Sequence, residues 1–364
     1  MSATPFSATY SEARARFMGA AAARGIALAS HVIPDIEGRE GEALATDVAR
    51  LGPADAKRLL VLTSGTHGVE GFCGSAAQTA LLGDAALQAR LASLGVAVLV
   101  VHAINPYGFS WLSRTNEDNV DLNRNSVDFA CPLPFNEGYE ALHALLVPPQ
   151  WPPSTANAEA IADYISRHGE AAYQHALTTG QYRHRDGLFY GGERPVWSTR
   201  LIKTLLAQHA SHCTQIGWID FHTGLGPAGH GEKICAGRLD AAELERARAW
   251  WGADVASPLD GSTIASNVGG PILDTLRTSC PHAQATAIAI EFGTVPLVPM
   301  LHMLRADVWV RRHPHAPEAT AIREQIRAAF CFDDPQWQGQ ILGQSRVAIL
   351  QAALGLARMP VEAR

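Results

Sequence analysis

A strand–helix–strand pattern between residues 58 and 104 constrains this chain more than any other feature. Residues 58–63 (RLLVLT) form a short apolar run that stops at Ser64-Gly65, as a buried strand running into a loop does. Residues 73–94 are rich in Ala, Leu and Gln, which favour helix. Residues 96–104 (VAVLVVHAI) are again apolar and β-branched, and Asn105-Pro106 ends them. Strand, helix, strand in this order is a βαβ unit, which requires a parallel pair covered on both faces. The strand pattern resumes at 215–221 (QIGWIDF), 232–236 and 285–292 (ATAIAIEF), and residues 297–354 read as largely helical. Between the two halves, 131–200 is different text. Proline clusters at 132–134 and 148–153 bracket a helix at 137–146, a longer helix spans 157–177, and aromatic, Gly-rich sequence follows at 182–197. That region is expected to be an insertion packed beside the sheet, within one domain spanning 1–364.

Composition narrows the function classes. The 364 residues are 47% hydrophobic and 18% charged, enough apolar material for a large core. The net charge is −6 with no basic patch, which argues against a nucleic-acid partner. Cysteines at 73, 131, 213, 235, 280 and 331 contain no C-x-x-C pair, which argues against a disulfide framework and a cysteine-based zinc site. The first ten residues lack a basic segment followed by an apolar one, and no run approaches the roughly 18 apolar residues of a membrane span. The expectation is a cytoplasmic enzyme with no membrane partner; nothing in the sequence fixes an oligomeric state.

Three polar clusters sit where strands end: Thr66-His67-Gly68-Val69-Glu70-Gly71, Asp220-Phe221-His222-Thr223-Gly224, and Ile290-Glu291-Phe292-Gly293. Ligands of open α/β sheets bind outside the carboxyl ends of strands, so these clusters can converge. His67 and Glu70, three apart in a glycine-flanked turn, can reach one ion, and His222 supplies a third ligand; two His and one Glu with a water is a catalytic zinc pattern. Each residue also has a plainer reading: a surface pair for His67 and Glu70, a satisfied half-buried histidine for His222, an arginine-paired carboxylate for Glu291. A carboxylate emerging from the apolar run AIAI is costly without a partner or a task, and beside zinc-bound water a glutamate that is not a ligand can take a proton. Gly224 to Gly229 matches G-x-G-x-x-G, but no helix is expected to start there, as a dinucleotide site requires. No G-x-S-x-G elbow occurs.

A fourth cluster joins these. Asn105-Pro106-Tyr107-Gly108 is followed by Arg114 and then by Val120-Asp121-Leu122-Asn123-Arg124-Asn125. With H-x-x-E before it and His222 and Glu291 after it, the chain resembles the zinc carboxypeptidases, the M14 metallopeptidases, over about 225 residues. The strings HGVEGFCGS and DFHTGLG look closest to the DUF2817 branch, and the aspartoacylase and succinylglutamate desuccinylase branch shares the metal logic. The resemblance implies an α/β fold with a mixed, mostly parallel sheet of about eight strands and helices on both faces. It implies one zinc ion held by His67, Glu70 and His222, an oxyanion-stabilising Arg114, a carboxylate grip by Asn123 and Arg124, and Glu291 as general base. It implies hydrolysis of an amide or peptide bond next to a carboxylate on a small substrate. The alternatives are an N-acyl amino acid deacylase and, outside enzymes, a metal-binding pseudoenzyme that recognises carboxylates. The family's mobile tyrosine before the catalytic glutamate has no counterpart, since no tyrosine lies between His222 and Glu291. Tyr190, in the Gly-rich part of the insertion, is the candidate from that region to line the pocket.

Overall fold

The computed structural model describes residues 4–237, 240–263 and 268–358. Helix α1 (Tyr10–Ala23) precedes a hairpin of β1 (Leu28–Glu37) and β2 (Ala43–Leu51). The βαβ unit follows as β3 (Arg58–Ser64), α2 (Gly71–Gly83), α3 (Ala85–Ser93) and β4 (Ala97–His102). After α4 (Pro106–Trp111) come α5 (Glu137–Leu146), α6 (Thr155–His168), α7 (Glu170–Thr178) and α8 (Trp197–Ala210). The chain re-enters the sheet as β5 (Gln215–Gly224) and β6 (Gly231–Ile234), passes through α9 (Ala241–Trp251) and α10 (Asp274–Ser279), and adds β7 (Gln284–Gly293). It finishes with α11 (Leu297–Arg312), α12 (Ala319–Phe330) and α13 (Pro335–Arg358). None of these helices is long and apolar enough to cross a membrane.

Among the described residues the sheet has seven strands in the order β1-β2-β4-β3-β5-β7-β6. The centre, β4-β3-β5-β7, is parallel, and the outer pairings β1-β2, β2-β4 and β6-β7 are antiparallel. Side chains alternate between the faces. Leu60, Leu62, Val98, Val100, Ile219, Phe221, Ile288 and Ile290 enter one core with α1, α2, α9 and α11 to α13. Leu59, Val61, Leu99, Val101, Ile216, Trp218 and Ala287 enter the other with α8 and α10. Burial on both faces explains why the central strands read as unbroken apolar runs.

The sequence reading differs from the structure at three places, each with a local cause. The helix expected at 73–94 is two helices, because the Asp84 carboxylate caps the second by accepting from the Leu87 backbone N–H at 2.9 Å. The helix expected at 157–177 breaks at Gly169, whose φ of +86° no helix continues through. The β1-β2 hairpin was not anticipated. β1 is a largely exposed edge strand carrying Pro34, and β2 (ALATDVARL) reads like helix and buries Asp47, which pairs with Arg14 at 2.7 Å. Helices α5 and α7, in the segment 131–200, bury Tyr139, Leu142, Leu146, Tyr173 and Leu177 in the main core. The glycine-rich segment after His222 links β5 to β6 with no helix.

Candidate active site

The three strand-end clusters converge. β3, β5 and β7 are adjacent and parallel, so their carboxyl ends open at one edge of the sheet. His222 and Glu291 are direct partners across the β5-β7 ladder. After β3 the chain turns through a short 3-10 segment, Gly68–Glu70. That turn is pinned by the Gly68 and Val69 N–H groups, which donate to the Arg114 and Ser113 carbonyls at 3.0 and 2.9 Å. Gly68 has no alternative there: a Cβ on it would stand 2.0 Å from the Gly108 carbonyl carbon.

A ligand atom from each of His67, Glu70 and His222 lies within 4.8 Å of the other two, and all three side chains are buried. The Glu70 carboxylate sits between the rings, with Oε1 2.9 Å from His67 Nδ1 and Oε2 2.9 Å from His222 Nδ1. The outer nitrogens face carboxylates: His67 Nε2 lies 3.2 Å from Asp121 Oδ1, and His222 Nε2 lies 2.7 Å from Asp220 Oδ2. An imidazole that donates Nε2–H to a carboxylate keeps its Nδ1 lone pair for a metal. Arg114 Nη2 also lies 2.7 Å from His67 Nε2. A nitrogen that donates to Asp121 cannot accept from arginine, so in the ligand-competent tautomer this is a close approach and not a hydrogen bond. Burial works to raise the Glu70 carboxyl, but the charges and hydrogen bonds of His67 and His222 prevail and hold it well below the usual range. Burial disfavours charge on His222, yet Asp220 and Glu70 outweigh it and draw a proton to the ring. Surroundings that attract a proton this strongly also suit a cation, and two imidazoles plus one carboxylate fit zinc.

The sequence carries a signal for Asp220 but none for Asp121: on a strand, residues two apart share a face, which puts Asp220 beside His222. Asp220 accepts from Thr63 Oγ1 at 2.6 Å, and the Thr66 hydroxyl lies 3.0 Å from both its oxygens. Asp121 receives the Arg114 Nε–H at 3.1 Å and the Asn123 backbone N–H at 2.9 Å. Burial raises the Asp121 carboxyl, and Arg114 and His67 overcome that to hold it well below its ordinary value. Arg114 also reaches Glu70 Oε1 at 3.3 Å, and its backbone N–H is anchored by Asp307 of α11 at 2.8 Å.

The cleft around this cluster measures about 1070 Å³ and is open to solvent. Glu291 lines it, half-buried, and Oε1 accepts the Leu225 N–H at 3.0 Å. Burial first, and the Glu70 charge second, push the Glu291 carboxyl up to about 7. Asn123 and Arg124 also line the cleft. Asn123 Oδ1 accepts the Ile272 N–H at 3.0 Å. Arg124 is buried, gives Nη1–H to the Asn123 carbonyl and Nη2–H to the Thr178 carbonyl, and lies over the Phe189 ring. Its Nε–H has no partner among the described residues. Burial lowers the Arg124 pKa from its ordinary value, against the pull of Asp121. Asn125, next in the string, is structural: it bonds Gly191, Arg194, Val196 and Thr199.

Tyr190 is elsewhere. It lines a separate cavity with Asp118, Arg185 and Glu193, and the residue its segment presents to the cleft is Phe189. Phe189 has φ +53°, a left-handed kink. The parallel bridge of Tyr190 to Gln181 and the Asp121 N–H bond to its carbonyl hold Tyr190 on the far side. Cys73 is fully buried, and burial raises its thiol well above the ordinary value, so it is no nucleophile.

The family model described as "Protein of unknown function (DUF2817)" matches residues 6–344. The chain belongs to the DUF2817 family. No curated protein sequence matches this DUF2817 chain. Among solved structures, it is similar to thrombin activatable fibrinolysis inhibitor, with TM-score 0.52 and 11% identity over 96% of this chain and 74% of that one. It is also similar to the bovine thrombin-activatable fibrinolysis inhibitor solved in complex with tick carboxypeptidase inhibitor, with TM-score 0.50 and 10% identity over 97% and 98% of the two chains. These likenesses establish that the DUF2817 chain has the carboxypeptidase fold.

Proposed function

We propose that this protein is a zinc-dependent hydrolase that cleaves an amide or peptide bond next to a carboxylate, with one zinc per chain. One observation carries the reading: His67 Nδ1, His222 Nδ1 and both Glu70 oxygens face one another while each outer imidazole nitrogen is held by its own aspartate. Zinc bound there would supply a Lewis acid and lower the pKa of a water toward about 7. Glu291, directly across the ladder from His222, is suited to accept a proton from the attacking water and to return it to the leaving amine. Arg114 brings a fixed positive charge to the same cluster, which favours a developing oxyanion. Arg124 lines the cleft, and its guanidinium is suited to a carboxylate, which such a group binds through charge-assisted bonds.

Within this chemistry, an N-acyl amino acid deacylase is favoured over an exopeptidase acting on long chains. No tyrosine lines the cleft among the described residues, and α7 of the insertion places Gln174 and Thr178 on its wall, which narrows it. A metal-binding recogniser without catalysis would have no use for Glu291 at this position. The test is turnover of a panel of N-acyl amino acids and short peptides by zinc-loaded protein, with and without a chelator. Chelator-sensitive release of amine, restored by zinc, is expected; a fully zinc-loaded protein inert on the whole panel would refute the reading.

A further inference from the structure

The cleft has a wall that the proposed chemistry does not use. Leu297, Met300, Leu301 and Leu304 of α11 all line it. Their spacing, i, i+3, i+4, i+7, is one helix face; Val298, Pro299, His302 and Met303, on the other side of the helix, border a separate groove. Such a stripe ordinarily means core, and Met300 and Leu304 are indeed buried in the main core. Leu297 and Leu301 are only half-buried and keep apolar surface open toward the cleft. This wall belongs to the Glu291 end. A Cβ on Gly224 would lie 3.2 Å from Glu291 Oε1, 3.4 Å from Phe330 and 3.5 Å from Met300. The Asn123 end is bounded by different residues: Ile272 bonds Asn123, and Leu273 beside it packs in the core on the opposite sheet face from Met300, Leu304 and Phe330.

The charged residues that line the cleft are His67, Glu70, Arg114, Arg124, Asp220, His222 and Glu291, and none comes from α11 or α12. A polar or anionic acyl group on that wall would lose hydration with nothing to replace it. An apolar one would gain from burial.

We infer that the α11 wall receives the acyl half of the substrate and takes an apolar, medium-chain acyl group, so that N-hexanoyl or N-octanoyl amino acids are preferred over N-acetyl and N-succinyl ones. This rests on the hydrolase reading. The reaction is unchanged: water adds across the amide, the C–N bond breaks, and a fatty acid and an amino acid leave. The experiment uses zinc-loaded protein and N-acetyl-, N-butanoyl-, N-hexanoyl-, N-octanoyl- and N-succinyl-L-phenylalanine. From acetyl to hexanoyl, kcat/KM rises about fourfold per methylene, on the order of 250-fold over the four methylenes, and the succinyl compound falls below the butanoyl one. Leu301→Lys flattens the series and raises succinyl relative to butanoyl. Leu297→Gln, a milder change on the same wall, flattens it if the lysine variant does not fold. A series flat in chain length, or a wild-type preference for succinyl, overturns the inference while leaving the hydrolase reading standing. If no member is cleaved, calorimetric binding of the same series to Glu291→Gln decides the inference: affinity that tightens with chain length supports it, and equal affinities overturn it, while the hydrolase reading is left to the wider panel of acyl amino acids and peptides.

Discussion

Asp220 Oδ2 lies 2.7 Å from His222 Nε2, two residues back on the same face of β5. The orientation of that carboxylate is itself fixed. Trp218 Nε1–H donates to Thr63 Oγ1 at 2.7 Å, so the Thr63 hydroxyl must donate onward to Asp220 Oδ1. In Asp220→Asn the only side-chain acceptor would be claimed by Thr63, leaving an N–H facing His222 Nε2. That favours the tautomer with a proton on Nδ1, where a metal needs a lone pair. Zinc affinity is expected to fall about 10–100-fold with the fold retained, as measured by competition with a chromogenic chelator. An unchanged affinity would show that Asp220 does not set the His222 tautomer.

Glu291→Gln keeps the shape of the side chain and its contact with the Leu225 N–H through Oε1, but it cannot carry a proton between water and amine. Zinc content is expected to stay at one equivalent while kcat drops about 10²–10⁴-fold. Single-turnover rates beside metal analysis check both halves; near-normal turnover would remove Glu291 from the mechanism.

Gly68 stands where the turn that carries His67 and Glu70 meets α4. A methyl group there would meet the Gly108 carbonyl carbon at 2.0 Å and the Phe109 nitrogen at 2.3 Å, and backbone yields less readily than a side-chain end. Gly68→Ala is expected to cost at least about 1–3 kcal/mol and to weaken zinc binding, because the same turn carries His67 and Glu70. Denaturant midpoints with and without zinc measure the two effects; a wild-type midpoint with normal zinc affinity would mean that the turn relaxes freely.

Much of this site could be read from sequence because its residues sit at strand ends that announce themselves. His67, His222 and Glu291 each follow an apolar run buried on both sheet faces, and the parallel order brings those ends together. The outer hairpin could not be read this way. β1 has one exposed side and a proline, and β2 buries Asp47 against Arg14, a compensation from a distant helix that no local pattern displays. The same holds for Asp121 and Asp220, whose roles exist only through rings and hydroxyls brought in by other segments. Tyr190 and Phe189 show a further limit: a single positive φ at Phe189 decides which of two adjacent aromatics meets the cleft.

His102 gives the fold a pH dependence separate from the candidate site. It is fully buried at the end of β4, stacked on Phe17 with ring centroids 4.5 Å apart, with Nε2 2.8 Å from Ser75 Oγ. Burial lowers its pKa to about 4, against the pull of Asp47. The folded state therefore holds it neutral, while the unfolded chain protonates near 6.5. Its contribution is complete above about 6.5 and is lost as the pH falls toward about 4, a loss of roughly 3 kcal/mol across that window. His102→Gln removes the titration. Between pH 7.5 and 4.5, wild type is expected to lose about 2–3 kcal/mol more unfolding free energy than His102→Gln. Parallel losses in the two proteins would show that His102 is not held neutral.

Arg124 is the residue that tests whether the proposed substrate carries a carboxylate. Its guanidinium already gives one N–H to the Asn123 carbonyl and one to the Thr178 carbonyl, and it lies over Phe189. Those contacts fix the plane of the group before any ligand arrives. Lysine could carry the charge but neither the planar fork nor the stacking. Substrates with a free carboxylate next to the scissile amide should therefore react faster than their amidated analogues. The lost charge-assisted bond is worth about 1.5–3 kcal/mol, or roughly 10–100-fold in kcat/KM. Arg124→Lys should erase most of that difference by slowing the acids and leaving the amides nearly as they were. Because the arginine also ties the turn at residues 121–124 to α7, a thermal melt of the variant is needed to separate a local effect from loss of the fold. Matched acid and amide pairs, measured in both proteins, decide the matter. Equal rates on the two in the wild type would mean that Arg124 reads no carboxylate, and the chemistry would then be that of a general amidase.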